Sequence, residues 1–333
     1  MNAFHLVETP SLSLARSLVN FDTLAVVLDQ PEQLQLKRLD LSPPGEEDVV
    51  VDVEWSGIST GTERLLWSGL MPQFPGMGYP LVPGYESVGR VASAGKLSGI
   101  PVGERVFVPG ARCFGEVRGL FGGAAAHLVV PGSRVVAVDE HLEEKAILMA
   151  LAATAYHALA APGARRPDLV VGHGVLGRLL ARIAIADGGE PPMVWEQNPQ
   201  RADGALGYPV LSPRDDPRQD YRAIYDVSGD AHILDSLIAR LAAGGEIILA
   251  GFYSAPVAFS FPPAFMREAR LRVAAEWREP DLQAVKTLIG AGRLSLDGLI
   301  THRRKATDAE AAYRTAFTDP SCLKMILDWR GLA

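Results

Sequence analysis

The chain has 333 residues, of which 48% are hydrophobic and 21% charged, and its formal net charge is −7. That composition suits about two globular domains with large cores. With no basic block, it argues against nucleic acid as a partner. Two cysteines, Cys113 and Cys322, are too few for a disulfide framework or a four-cysteine zinc lobe, so the reducing cytoplasm is the expected compartment. The N-terminus lacks the basic start and apolar run of a signal peptide, and no run of about 18 apolar residues is present to span a membrane.

Residues 1–22 read as an N-terminal extension. From Thr23 the pattern is β-like: apolar or alternating runs at 24–28, 34–39 and 49–55 are split by Pro31, Pro43, Pro44 and Gly45. Further short strands are expected at 86–92, Arg105–Val108, 126–130 and 135–137, spaced as in a partly open β-barrel. At about Glu143 the period changes, and 143–161 reads as a helix. Strands and helices then alternate: strand Leu169–Val171, helix Val175–Ala186, a strand ending at Glu196, strand 223–226 and helix 232–242. A helix end is expected at 242–245, a strand at 246–250 closing on Gly251, and a last strand at 271–275. This alternation implies a parallel sheet covered on both faces. The tail adds helices at 282–290 and 308–317 and a strand at 322–327.

Gly172, Gly174 and Gly177 fit G-x-G-x-x-G between a strand and a helix, with Glu196 roughly 20 residues beyond. The first glycine permits the turn, the second lets backbone approach a pyrophosphate, and the third lets helix and strand pack closely. The segment Gly172, His173, Gly174, Val175, Leu176 and Gly177, with Gly251, is the expected dinucleotide site, and the anion would sit on the helix N-terminus. Glu196 would accept the ribose hydroxyls and favours NAD over NADP, although Arg201 close by could serve a 2′-phosphate.

Ordered along the chain, Gly57-Ile58-Ser59-Thr60-Gly61-Thr62-Glu63, Pro83-Gly84-Tyr85-Glu86-Ser87-Val88-Gly89, Val102-Gly103-Glu104-Arg105-Val106 and Thr154-Ala155-Tyr156-His157-Ala158-Leu159 resemble motifs of the medium-chain dehydrogenase/reductase superfamily. So do Asp226-Val227-Ser228-Gly229, Gly244-Gly245, Leu299-Ile300-Thr301-His302 and Leu323-Lys324. The resemblance covers residues 23–330. It implies α/β plus β architecture: a GroES-like β-barrel catalytic domain at 23–150, a Rossmann doubly wound NAD-binding domain at 151–280, and a return to the first domain at 281–333. The active site would lie in the cleft between them, and a homodimer through edge strands of the nucleotide domain is common in such proteins.

The departures from the superfamily pattern are informative. Its catalytic zinc ligands would fall on Ser59 or Thr60, on Tyr85 and near Ala150, and hydroxyls and a methyl do not hold zinc. A metal-free member is therefore expected. The runs at 56–69 and 80–89 resemble a branch that oxidises a 3-(1-hydroxyethyl) group to a 3-acetyl group, with NAD as acceptor. Its tetrapyrrole substrate would be 3-hydroxyethyl bacteriochlorophyllide a or a chlorophyllide analogue. Without zinc, side chains must bind the alcohol oxygen and pass its proton on. Tyr85 and Thr62 are the leading candidates for this, followed by Ser59 and Thr60, with Glu63 and Glu86 to orient them. The apolar run at 67–79 would form a plastic wall for a macrocycle, and Arg64 and Arg112 would pair with a substrate carboxylate. His127, His157 and His302 read as structural; His173 is open between touching the cofactor and a variable position. A zinc-free quinone or enoyl reductase and a non-catalytic cofactor-binding protein remain the alternatives.

Overall fold

The computed structural model describes residues 21–332. The expected extension lies outside them except for Phe21, which packs on the core, and Asp22, which opens the first strand. In chain order come β1 (Asp22–Gln30), β2 (Gln33–Asp40), β3 (Asp48–Ile58), α1 (Thr62–Ser68), β4 (Leu81–Val82), β5 (Ser87–Ala94), β6 (Arg105–Val108), β7 (Arg118–Gly119), β8 (His127–Pro131), β9 (Val136–Ala137) and α2 (Met149–Ala160). There follow β10 (Leu169–Val171), α3 (Val175–Ala186), β11 (Met193–Trp195), α4 (Pro199–Ala202), β12 (Val210–Leu211), β13 (Tyr221–Asp226), α5 (Leu234–Arg240), β14 (Leu241–Leu249), α6 (Phe261–Met266) and β15 (Arg270–Val273). The chain ends with α7 (Glu279–Gly290), β16 (His302–Lys305), α8 (Ala309–Thr318) and β17 (Met325–Asp328).

Strand β3 organises the first half. Its apolar residues are buried along nearly its whole length, because it pairs antiparallel with β5, with β8 and with the returning β17. Met325 lies opposite Ile58 in this register, which brings Lys324 beside the end of β3. A smaller sheet, β2-β1-β4-β7, packs against this seven-stranded one.

The second half is a six-stranded parallel sheet in the order β12-β11-β10-β13-β14-β15. The strand order reverses between β10 and β13, and ligands of such sheets bind beyond the strand ends at that switch point. Fully buried β10 reads as an unbroken apolar run, as a strand covered on both faces must. One core runs from Phe107 and Ile326 through the alanine-rich α2 to Val170 and Ile248, locking the barrel side to the parallel sheet.

Two expectations change. The helix expected over 143–161 begins as 3-10 turns across Glu140–Leu148, with a break at Glu143, where φ is 46°, and becomes α-helical only at Met149. The helix end expected at 242–245 belongs instead to β14. Buried Leu241 pairs with Tyr221 and ends α5 at Arg240, and the glycine pair forms an irregularity before Glu246 resumes the ladder.

Candidate active site

A cleft of about 1520 Å³ runs between the two halves. Its nucleotide side is built by the turn from β10 into α3. Gly172 takes a φ of +105°, and a Cβ on Gly177 would come within 1.8 Å of the Gly172 carbonyl oxygen, so only glycine permits this approach. A Cβ on Gly174 would meet nothing within 4 Å, which leaves its backbone open to a ligand. The first turn of α3 has no side-chain cap, and its free N–H groups suit an anion.

Glu196 follows β11, and its carboxylate is already oriented. The His173 N–H donates to Oε2 at 3.2 Å and the Asn198 N–H to Oε1 at 2.8 Å. Val175, Leu176 and Gly251 also line the cleft. The His173 imidazole does not face it. That ring is fully buried, its Nδ1 lies 2.7 Å from the Arg201 carbonyl oxygen and its Nε2 3.0 Å from the Tyr208 hydroxyl. A carbonyl only accepts, so Nδ1 carries the proton and Nε2 accepts from Tyr208. Burial, reinforced by Arg178, holds its pKa down at about 4. His173 thus ties the glycine turn to the 201–208 loop, and its cofactor-facing part is backbone.

On the other side the Ser59 and Tyr85 hydroxyls lie 2.6 Å apart. Of the two residues at the first zinc-ligand position, it is Ser59 that meets Tyr85; Thr60 also lines the cleft. Tyr85 packs edge-on against Phe121, with ring centroids 5.7 Å apart. Burial, then the charge of Glu86, raises the phenol's pKa, while Ser59 and Thr62 lower it by lesser amounts. The phenol is therefore neutral at physiological pH. Thr62 lines the cleft at the start of α1.

Glu63 bears on the hydroxyl pair through the backbone of Ser59. It points away from the cleft, accepting from the Ser59 N–H at 2.9 Å and from the Tyr313 hydroxyl at 2.7 Å. It reaches neither hydroxyl of the pair and instead fixes the backbone that presents Ser59. Burial pushes its pKa up to about 7 against the pull of those two donors.

Lys324 lies outside the set expected from sequence. Its ammonium donates to Glu86 at 2.7 and 3.0 Å and to the Ile58 carbonyl oxygen at 3.2 Å. Ile58 precedes Ser59 and Glu86 follows Tyr85, so one buried cation ties together the two segments that carry the hydroxyl pair. The only sequence signal was a lysine in the returning tail, and its partner lies 238 residues away.

The run at 67–79 does not wall the cleft, because none of its residues lines it. Trp67 packs on Phe317, the Tyr79 hydroxyl donates to the Leu66 carbonyl, and Phe74 and Met77 pack against the barrel core. The apolar wall comes instead from Phe121, Leu151, Trp277 and Phe317. His127 bonds Asp52, His157 bonds Asp281 and His302 bonds Thr301, all outside the cleft.

The zinc that the superfamily implies does not fit this site. Ser59 and Tyr85 offer hydroxyls, and Ala150 is a buried methyl that does not line the cleft. Among the described residues no three His, Cys, Asp or Glu side chains converge as a metal site, and no helix is long and apolar enough to cross a membrane.

Comparison with known proteins agrees with this geometry. The family model of the alcohol dehydrogenase GroES-like domain matches residues 45–140. The chain is 58% identical to the 2-desacetyl-2-hydroxyethyl bacteriochlorophyllide A dehydrogenase of Rhodobacter capsulatus, over 93% of this chain and 99% of that protein. It is 58% identical to the protein of that name from Cereibacter sphaeroides, with the same coverage. Among solved structures, an alcohol dehydrogenase from Escherichia coli in complex with NADH superposes with a TM-score of 0.78 at 20% identity, covering 92% of this chain and 99% of that one. That likeness shows the fold, a GroES-like barrel with a Rossmann sheet, and the close relatives are dehydrogenases. The chain belongs to the family of the 2-desacetyl-2-hydroxyethyl bacteriochlorophyllide A dehydrogenases, within the medium-chain dehydrogenase/reductase superfamily.

Proposed function

We propose that this enzyme oxidises the 3-(1-hydroxyethyl) group of a bacteriochlorophyllide to a 3-acetyl group with NAD, using side-chain hydroxyls where its superfamily uses a metal. The observation that carries the reading is the 2.6 Å Ser59–Tyr85 hydroxyl pair in the cleft, where the resemblance puts the first two superfamily zinc ligands at Ser59 or Thr60 and at Tyr85. When bound, the nicotinamide supplies the hydride acceptor. The turn at Gly172–Gly177 and the N-terminus of α3 would hold the pyrophosphate, and Glu196 the adenosine ribose. The Glu196 carboxylate would repel a 2′-phosphate, and Arg201 donates its Nε to the Pro320 carbonyl; both favour NAD over NADP.

The alcohol must lose a proton as its hydride leaves. A phenol kept neutral by burial does not wait as a phenolate base. Tyr85 instead accepts the substrate proton while passing its own to Ser59, and Ser59 at the same time gives its hydroxyl proton on toward cleft water, so the proton leaves to solvent and no full charge builds on either oxygen. Thr62 and Thr60 extend this hydroxyl path along the cleft wall. Glu63 and Lys324 hold the path in place through Ser59, Ile58 and Glu86.

The domain division at 23–150, 151–280 and 281–333 is supported by the sheets: β1–β9 and β16–β17 form the barrel side, and β10–β15 the parallel sheet. A homodimer is supported by β15, which stands at the edge of the parallel sheet, and by the exposed Phe261, Phe265 and Met266 of α6. The cytoplasm is supported by two buried free thiols.

The test is anaerobic turnover of 3-(1-hydroxyethyl)bacteriochlorophyllide a with NAD and with NADP, followed by the pigment's absorption shift. NAD-dependent conversion is expected, with Tyr85→Phe slower by about 100-fold or more. No conversion with either cofactor, in protein that binds NADH, overturns the reading in favour of a quinone or enoyl reductase or a binding protein.

A further inference from the structure

A chain of net charge −7 carries a cleft whose lining has six cationic side chains against four carboxylates. Three of the cations are engaged: Lys324 with Glu86, Arg201 with the Pro320 carbonyl and Lys286 with the Ala137 carbonyl. Arg64, Arg112 and Arg134 are exposed and have no hydrogen-bond or ion-pair partner among the described residues. Two of these three stand on the hydroxyl side. Arg64 lies two residues past Thr62 on α1, and that segment is anchored by Glu63. Arg112 follows Ala111, whose N–H donates to the Phe121 carbonyl oxygen at 2.9 Å, and Phe121 is the ring packed on Tyr85. Apolar Pro109, Phe121 and Phe317 line the cleft with them.

The cofactor's phosphates already have a seat at the opposite side, on the N–H groups of α3. A second anion therefore belongs to the other ligand. We propose that Arg64 and Arg112 form a clamp for a carboxylate of the substrate, so that the enzyme selects the free-acid pigment over its ester. This rests on the reading of the substrate as a bacteriochlorophyllide, a macrocycle whose propionate is unesterified. A guanidinium fork matches a carboxylate and gains little from an ester, which carries no charge. The apolar side chains hold the ring face, the clamp fixes which edge points outward, and the hydroxyethyl group is thereby directed toward Ser59 and Tyr85.

The test is a titration of the full chain, in the presence of NAD, with bacteriochlorophyllide a and with its propionate methyl ester, read by quenching of tryptophan emission. The acid is expected to bind the wild type about tenfold or more tightly than the ester. Arg64→Ala and Arg112→Ala should each bring the acid down toward the ester's affinity, whereas Arg134→Ala retains the preference. All three side chains are exposed, so the folded state is preserved. Equal affinity of acid and ester in the wild type overturns the clamp, as does a preference that survives in either the Arg64 or the Arg112 variant, or one lost only in the Arg134 variant. Turnover of 3-(1-hydroxyethyl)bacteriochlorophyllide a as acid and as methyl ester separates the two readings. Equal KM for both with good conversion removes the clamp and leaves the dehydrogenase. Selective binding of the acid without conversion keeps the clamp and removes the dehydrogenase reaction.

Discussion

Replacing Lys324 with methionine should reveal how the hydroxyl pair is held without a metal. The Lys324 side chain is 2% exposed and that of Glu86 0%, so the substitution leaves a carboxylate in the interior with no counter-charge. Such a carboxylate neutralises rather than stay charged. Taking up a proton at pH 7 from its ordinary value of 4.5 costs about 3.4 kcal/mol, and this is the ceiling of the deficit, because burial already raises Glu86 above that value with Lys324 in place. The Ile58 carbonyl also loses its donor from Lys324, which adds about 1 kcal/mol. The total is at most about 4 kcal/mol, within the usual 3–5 kcal/mol for breaking a buried pair. The sign of its pH dependence follows from linkage. In the variant the Glu86 pKa is raised further above its unfolded value, so the folded state binds the extra proton. The deficit then shrinks by about 1.4 kcal/mol for each pH unit of acidification toward 4.5. Lys324→Met combined with Glu86→Gln removes the charge and should recover most of the loss. Urea midpoints from about pH 5 to pH 8 measure all of this. A deficit below about 1 kcal/mol at neutral pH, or one that grows on acidification, refutes the reasoning. Turnover should fall as well, mainly in kcat, because Ser59 and Tyr85 lose their common tether.

Three further outcomes follow from the site. Glu63 has its folded pKa raised to about 7, so its contribution to stability is full below 4.5 and is lost as pH rises through 7. Glu63→Gln should therefore gain about 3 kcal/mol on wild type across that window, and a constant difference in urea midpoint would contradict the assignment. Gly177→Ala places a methyl 1.8 Å from the Gly172 carbonyl oxygen; it should cost roughly 1–3 kcal/mol and weaken NADH binding by calorimetry, and unchanged affinity would refute the close-approach argument. Glu196→Gln removes the charge facing the ribose and should move the ratio of kcat/KM for NADP over NAD up by about tenfold, or 1.4 kcal/mol. An unchanged ratio would assign the preference elsewhere.

The local signals were strong wherever one short segment contained its own physical logic. Leu169–Val171 and Val175–Ala186 stand where their apolar run and glycine spacing put them, because a strand, a tight turn and a helix start are decided by neighbouring residues. The ends of elements were less legible. Leu241 enters a strand rather than a helix end because it pairs with Tyr221, twenty positions earlier, and nothing local encodes that partner. The apolar run at 67–79 shows a second limit. Composition marked it as sticky, yet stickiness does not say which surface it meets: Met71, Trp67, Phe74, Met77 and Tyr79 went to the barrel core, and Leu70 stays exposed.

From the sequence by itself come the parallel nucleotide-binding sheet, the glycine turn with Glu196, the hydroxyl residues at the zinc-ligand positions and the family. The zinc-ligand positions and the family come from the resemblance of an ordered series of motifs, and the rest depends on residue chemistry at fixed short spacings. Only the tertiary structure decided that Ser59 rather than Thr60 meets Tyr85, that Glu63 serves the backbone, that the His173 ring faces inward, and that Lys324 binds both Ile58 and Glu86. Those contacts join residues up to 266 positions apart. They exist because β17 returns to pair with β3, and a pairing of that kind is set by the burial of whole strands rather than by any local run of residues.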